Sequence, residues 1–265
     1  MSYAEVEAIC VAAAEAGAAR LRELFGSPRE ISLKGRIDLV TDADRASEEL
    51  ILALLRERAP GSAILAEESG ESGRGDLRFI VDPLDGTTNY AHGLPIFACT
   101  VGAEEKGVLV AGCTVDPMRG ETYRGHRGGG AYLNGVRMRA SRAEKLSDSV
   151  VCTGFPYDKG GKLGEMIAAF GRFTSLARGT RRLGSAALDL AYVAAGRLDI
   201  FYEQGLKPWD VAAGLVLVAE AGGTTSRFDG SPADPGAAEV LACAPALAEE
   251  VRRILSESRA RPWKP

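Results

Sequence analysis

The chain is poor in the residues on which most soft-metal and redox chemistry depends. Its 265 residues include two histidines, His92 and His126, and five scattered cysteines, Cys10, Cys99, Cys113, Cys152 and Cys243, with no Cys-x-x-Cys spacing. So few imidazoles exclude a histidine-rich zinc centre. An odd, dispersed set of thiols argues against a disulfide framework, and a chain this long buries a core without one. The expectation is reduced thiols in a cytoplasmic protein. No apolar run approaches the roughly 20 residues that span a bilayer. The opening MSYAEVEAIC is acidic where a secretion signal is basic and then apolar. Excess positive charge is missing too: 32 Lys and Arg against 36 Asp and Glu leave a net charge of −4, which offers nucleic acid no electrostatic footprint. What remains, 46% hydrophobic and 26% charged residues, is the composition of a folded globular chain. Any metal chemistry falls to carboxylates.

Apolar spacing lays out the elements. Val6, Ile9, Cys10, Ala13, Gly17, Leu21 and Leu24 recur at helical intervals, and Gly26-Ser27-Pro28 ends that helix. Thr41, Asp42 and Asp44 offer N-caps to a second helix carrying Ala46, Leu50, Ile51, Leu54 and Leu55, closed by Pro60-Gly61. Ala63 to Ala66 and Phe79 to Val81 read as buried strands that run straight into acids: Glu67-Glu68 after the first, Asp82 after the second. From Ile96 to about Arg139, short apolar runs alternate with turns such as Asp116-Pro117 and Asn134-Gly135, an antiparallel meander. Beyond Ala140 helices and strands alternate, ending in a helix after Pro245, which argues for an α/β layer. The picture is a layered α/β sandwich, αβαβα, with an antiparallel N-terminal sheet and a mixed C-terminal one. Residues 1–145 and 146–265 form two halves of one unit, with a soft boundary.

Chemistry concentrates in Val81-Asp82-Pro83-Leu84-Asp85-Gly86-Thr87-Thr88-Asn89-Tyr90. Two acids and a carbonyl within four residues are hard oxygen ligands of the kind Mg²⁺ prefers. Proline favours a sharp exit from the strand. Gly86-Thr87-Thr88 can start a helical turn whose free amides suit phosphate. Taken alone, the same residues make turns and a helix cap. No Lys or Arg lies within the segment, however, and two like charges at the end of an apolar strand need a counter-ion. Glu67 could reach the same edge if its strand neighbours Phe79 to Val81. Asp210, behind Lys207-Pro208, and Asp44 each read equally well as first-turn acids of a helix. Other features carry less. Gly128-Gly129-Gly130 lacks the Lys-Ser/Thr of a phosphate loop and reads as a turn. No serine sits in a G-x-S-x-G elbow. His92 reads as structural or exposed, Arg181-Arg182 as a solvated pair that could steer an anion, and Lys34 has no assigned role.

Taken together, the chain resembles the inositol monophosphatase family, the Mg²⁺-dependent, lithium-sensitive phosphatases that share a fold with fructose-1,6-bisphosphatase. The likeness runs in order through Asp38 to Asp44, Leu65 to Ser69, Asp82 to Tyr90, Gly184 to Asp189, Tyr202-Glu203 and Lys207 to Gly214. The resemblance implies that Glu67, Asp82 and the Leu84 carbonyl hold one Mg²⁺, that Asp82, Asp85 and Asp210 hold a second, and that a weaker third sits near Glu67. Asp44, Thr87 and Glu67 form the implied catalytic set, Asp44 with Thr87 orienting and deprotonating water. Gly86 and Thr87 amides would bind phosphate beside Leu84 and Asp85. Gly184, Ser185, Ala186, Glu203 and Asp210 would face the alcohol. Thr88-Asn89-Tyr90 is similar to the inositol monophosphatase branch, where relatives acting on adenosine 3′,5′-bisphosphate or histidinol phosphate tend to carry Lys or Arg at Thr88. Tyr90 replaces the usual phenylalanine, and Lys207-Pro208 resembles bacterial members. The implied activity is hydrolysis of a sugar or polyol monophosphate, best myo-inositol 1-phosphate, by a homodimer. Fructose 1,6-bisphosphate is the competing substrate. A binding partner of cellular machinery with weak phosphatase activity is the reading of another class.

Overall fold

Ser2 starts the first helix, α1 (Tyr3–Leu24), through a capping box: its hydroxyl accepts from the Glu5 amide, and the Glu5 carboxylate accepts from the Ser2 amide at 2.7 Å. This computed structural model describes residues 1–26, 31–33, 39–156, 162–236 and 239–263. Ser27, Pro28, Lys34 and Asp38, all named above, lie outside the described residues. A hairpin of β1 (Ile31–Leu33) and β2 (Leu39–Thr41) leads into α2 (Asp42–Arg58). There follow β3 (Ala63–Ala66), β4 (Gly70–Ser72), β5 (Leu77–Asp85), the short α3 (Thr87–Ala91), and a meander of β6 (Ala98–Glu105), β7 (Val108–Asp116), β8 (Glu121–His126), β9 (Gly130–Leu133) and β10 (Val136–Arg137). The second half holds β11 (Val150–Thr153), α4 (Lys162–Leu176), β12 (Gly179–Arg181), α5 (Ala186–Ala194), β13 (Ile200–Gln204), α6 (Pro208–Glu220), β14 (Thr224–Ser226), β15 (Glu239–Cys243) and α7 (Ala248–Ala260).

Two sheets organise these elements. One has eight strands in the order β10-β9-β8-β7-β6-β5-β3-β4, the other five in the order β12-β11-β13-β15-β14. Helices α1 and α2 cover one face of the larger sheet, α5 and α6 lie between the sheets, and α4 and α7 close the far side. The expected αβαβα layering is therefore present. One expectation needs correction: the larger sheet is mixed, because β3 pairs with β5 in parallel, from Ala63↔Arg78 to Ala66↔Val81. The cause is β4, a three-residue polar strand that turns back along the outer side of β3, so the chain re-enters on the inner side in the original direction.

The parallel pair matters for function, since it ends both strands at one edge and delivers Glu67 and Asp82 there together. A second feature brings in Asp210. Gly102 of β6 and Gly112 of β7 face each other in register. A Cβ at either would lie 2.6–2.9 Å from atoms of Ala212 or Ala213, so α6 rests almost directly on the sheet. With Val211, Leu215, Leu217 and Val218 buried, each worth about 1.5–3 kcal/mol in transfer terms, the N-terminus of α6 is fixed against the strand edge. All five cysteines are buried and unpaired. His126 belongs to a structural cluster: with Arg124 it meets the buried Glu7 of α1. No helix among the described residues is long and apolar enough to cross a membrane.

Candidate active site

Strand β5 does not leave the sheet sharply at Pro83, as the proline suggested. It continues to Asp85 through an irregularity in its pairing with β6 between Asp82 and Asp85. That bulge turns successive groups towards one cleft. Asp82 is 1% exposed and accepts from the Leu84 amide at 2.9 Å. Ser47 of α2 ties down the Pro83 carbonyl at 2.9 Å. Asp85 is gripped from the second half of the chain: its Oδ2 accepts from Ser185 Oγ at 2.5 Å and from the Ala187 amide at 2.8 Å. Asp210, third residue of α6, accepts from the Lys207 amide at 2.6 Å. It is thus the first-turn acid that the sequence allowed, and it also faces the cleft. Carboxylate oxygens of Asp82, Asp85 and Asp210 all lie within 4.8 Å of one another. Glu67 lines the same cleft and shares a hydrogen bond with Asp82, whereas Glu68 donates its amide to Glu48.

Electrostatics expose what this cluster lacks. Burial, then repulsion from Glu67, Asp85 and Asp210, pushes the Asp82 carboxyl well above the usual carboxylate range. Burial likewise raises Asp210, with repulsion from Asp85 next, and lifts Asp85 to about 6 against the hydrogen bonds from Ser185 and Ala187. Among the described residues no Lys or Arg forms an ion pair with Asp82, Asp85 or Asp210. Three acids converging without an ion-pair partner, with Glu67 beside them, fit a divalent cation, and an all-oxygen donor set fits Mg²⁺ rather than a soft metal.

Around the acids stand the phosphate-sized features. Gly86 adopts φ 94° and caps α3. A Cβ there would lie 3.0 Å from the Ile96 carbonyl and 3.2 Å from that of Gly184, so only glycine fits both the turn and the space. Thr87 Oγ1 lies 3.0 Å from the Leu84 carbonyl and 3.2 Å from Asp44 Oδ1, and its single proton serves one at a time. Asp44 is fully buried behind Thr87. Its other oxygen accepts from Thr41 N at 2.8 Å and Thr41 Oγ1 at 2.6 Å, closing the capping box of α2. Burial raises its pKa to about 6 against those bonds. One carboxylate therefore both caps a helix and addresses the cleft.

The cleft, about 230 Å³, is walled by residues of the second half, among them Gly184, Ser185, Ala186 and Glu203. The β11–β13 register, Thr153↔Tyr202, sets Gly154 beside Glu203. A Cβ on Gly154 would lie 2.1–2.2 Å from the Glu203 carboxyl, whose pKa burial and then Asp189 raise. Sequence reasoning missed this glycine, the Phe155-Pro156 wall after it, and the bridging role of Asn89. The Asn89 amide bridges the Ile96 and Leu183 carbonyls, each at 2.8 Å, and so joins α3 to the Gly184 loop. Arg182 of the expected solvated pair lines the cleft, while His92 is exposed at the end of α3.

Comparison with known proteins bears on the family and the fold. A sequence model described as "Inositol monophosphatase family" matches residues 2–260. An inositol-1-monophosphatase of Mesorhizobium japonicum is 47% identical over 223 residues, 83% of this chain and 84% of that protein. The Nus factor SuhB of Escherichia coli K12 is 46% identical over 203 residues, 76% of each chain. Among solved structures, the extragenic suppressor protein suhB of Bartonella henselae superposes with a TM-score of 0.91 at 38% identity, covering 95% of this chain and 98% of that one. The chain belongs to the inositol monophosphatase family and carries the fold of its phosphatases.

Proposed function

We propose that the protein hydrolyses a phosphate monoester with Mg²⁺, and that the preferred substrate is myo-inositol 1-phosphate. The observation that carries this reading is the meeting of Asp82, Asp85 and Asp210 within 4.8 Å, with no Lys or Arg ion-paired to them among the described residues, beside Gly86 and Thr87. Glu67, Asp82 and the Leu84 carbonyl would hold one ion, Asp82, Asp85 and Asp210 a second, with a third near Glu67. When bound, Mg²⁺ supplies the positive charge that offsets these acids and steadies charge developing on phosphoryl oxygens. The chain's own groups supply the rest. Amides of Gly86 and Thr87 bind phosphate oxygens. Asp44, through the Thr87 hydroxyl, orients the attacking water and takes its proton. Glu203 accepts hydrogen bonds from hydroxyls of the alcohol, which Gly184, Ser185 and Ala186 frame together with Asp85 and Asp210.

The test is phosphate release from myo-inositol 1-phosphate with Mg²⁺, with EDTA and Li⁺ as controls and fructose 1,6-bisphosphate alongside. Turnover that persists in EDTA removes the metal from the reading. A stronger preference for the bisphosphate replaces the substrate. A second reading, service as a Nus factor with weak phosphatase activity, rests on the relative of that name at 46% identity. Absence of turnover across sugar, nucleotide and amino-alcohol phosphates would favour it. The family likeness also supports a cytoplasmic homodimer, which sedimentation at micromolar concentration tests; a monomer there refutes it.

A further inference from the structure

At the end of α6 remote from Asp210, the chain leaves β10 and crosses towards β11, forming one wall of a second groove of about 640 Å³. Glu220, at that end, is ten residues from Asp210 along the helix, so about 15 Å separates the groove from the acid cluster. Arg137, Arg139 and Arg142 line it. Met138 turns into the core at 5% exposure, while the arginines on either side of it are exposed. Hydrogen bonds fix this wall: Met138 N donates to the Ala131 carbonyl, Ala140 N to the Ala221 carbonyl, and the Ser141 hydroxyl to Asp199.

None of the three guanidiniums forms an ion pair with a described residue. Of the two carboxylates along the groove, Glu220 is occupied by the amides of Gly128 and Gly130 at 2.9 and 2.8 Å, and Glu144 is exposed. This accounts for the triple glycine, which completes no phosphate loop. Its amides hold Glu220, and its open face seats Arg137, whose Nη2 would lie 3.2 Å from a Cβ on Gly130. Three arginines lining one groove without an ion-pair partner among the described residues suit a ligand carrying several oxyanions, which guanidiniums bind through bidentate contacts. The volume suits a small molecule. We propose that this groove binds a small polyphosphate anion, one with two or more phosphate groups, at a site separate from the catalytic cleft.

The probe is inorganic tripolyphosphate, titrated calorimetrically into the full chain in metal-free buffer. Saturable one-site binding is expected, weakened roughly tenfold or more by Arg139→Ala or Arg142→Ala, less by Arg139→Lys, and unchanged by Asp82→Asn. The arginine variants should keep the phosphatase rate of the parent, so a failure here is distinct from a failure of the proposed hydrolysis. Three results overturn the site: no saturable heat at millimolar tripolyphosphate, equal affinity in the arginine variants, or loss of binding in Asp82→Asn. Binding of a single-stranded RNA oligonucleotide without binding of tripolyphosphate also overturns it.

Discussion

Replacing Asp82 by Asn should destroy activity and, without metal, make the protein more stable. Asparagine has nearly the same shape and keeps an oxygen to accept the Leu84 amide, now bonded at 2.9 Å. What it removes is charge. Two unit charges 4.8 Å apart, the outer limit within the cluster, repel by about 3.5 kcal/mol at an effective dielectric constant of 20. Asp82 faces both Asp85 and Asp210, and Glu67 besides. The metal-free protein relieves part of this by retaining protons, so the realised gain is set near one pair, about 3 kcal/mol. For a chain of this size that raises the melting temperature by about 6 °C. Calorimetry in EDTA at pH 8 reads it directly. At lower pH the gain should shrink, because burial and its acidic neighbours raise the Asp82 carboxyl and its protonation removes the same charge from the parent. Added Mg²⁺ should stabilise the parent more than the variant, and turnover should fall on the order of a hundredfold or more. A variant less stable than the parent in EDTA at pH 8, or one retaining most activity, refutes the electrostatic argument.

Three further outcomes follow from the same geometry. Asp44 and Asp85 titrate near 6 when folded, against 3.8 for the free side chain. A raised folded pKa means that their protonated, stabilising form is complete below about pH 4 and lost as pH rises through 6, about 3 kcal/mol each. The melting-temperature gap between Mg²⁺-loaded and EDTA-treated protein should therefore widen from pH 4.5 to 7.5, and a constant gap contradicts this. Gly86→Ala places a side chain at φ 94° against two carbonyls; it should cost about 1–2 kcal/mol of stability and raise KM for the phosphate ester, and an unchanged KM would remove Gly86 from the phosphate site. Glu203→Gln should leave hydrolysis of a simple aryl phosphate intact while lowering kcat/KM for myo-inositol 1-phosphate roughly tenfold, with equal losses on both substrates counting against a role at the alcohol.

What could be read from the sequence, and what could not, divides by the range of the interaction. Helices α1 and α2 declare themselves because capping boxes and apolar stripes act within a few residues, and Asp82 to Thr87 stands out because its acids and glycine are adjacent. Strands β4, β12 and β14 escape because three-residue polar edges such as Gly-Thr-Arg and Thr-Thr-Ser have no period to detect. Losing β4 hides the reversal that makes β3 and β5 parallel, and with it the reason Glu67 meets Asp82. Asp44 shows the limit most clearly. Its local signal is a first-turn acid, and the structure grants it that role through Thr41. The same carboxylate reaches Thr87, 43 residues away, and nothing within one helical turn could announce it. Gly154 is the converse case: its requirement exists only because Glu203 arrives from another strand to occupy the space of its missing side chain. Residues whose chemistry is set by contacts across the fold are visible in sequence only through family likeness, and that is how Asp210 and Ser185 entered the site. The groove at Arg137, Arg139 and Arg142 had no such guide, since its arginines gain meaning only once Met138 is turned inward and Glu220 is taken up by the glycine turn.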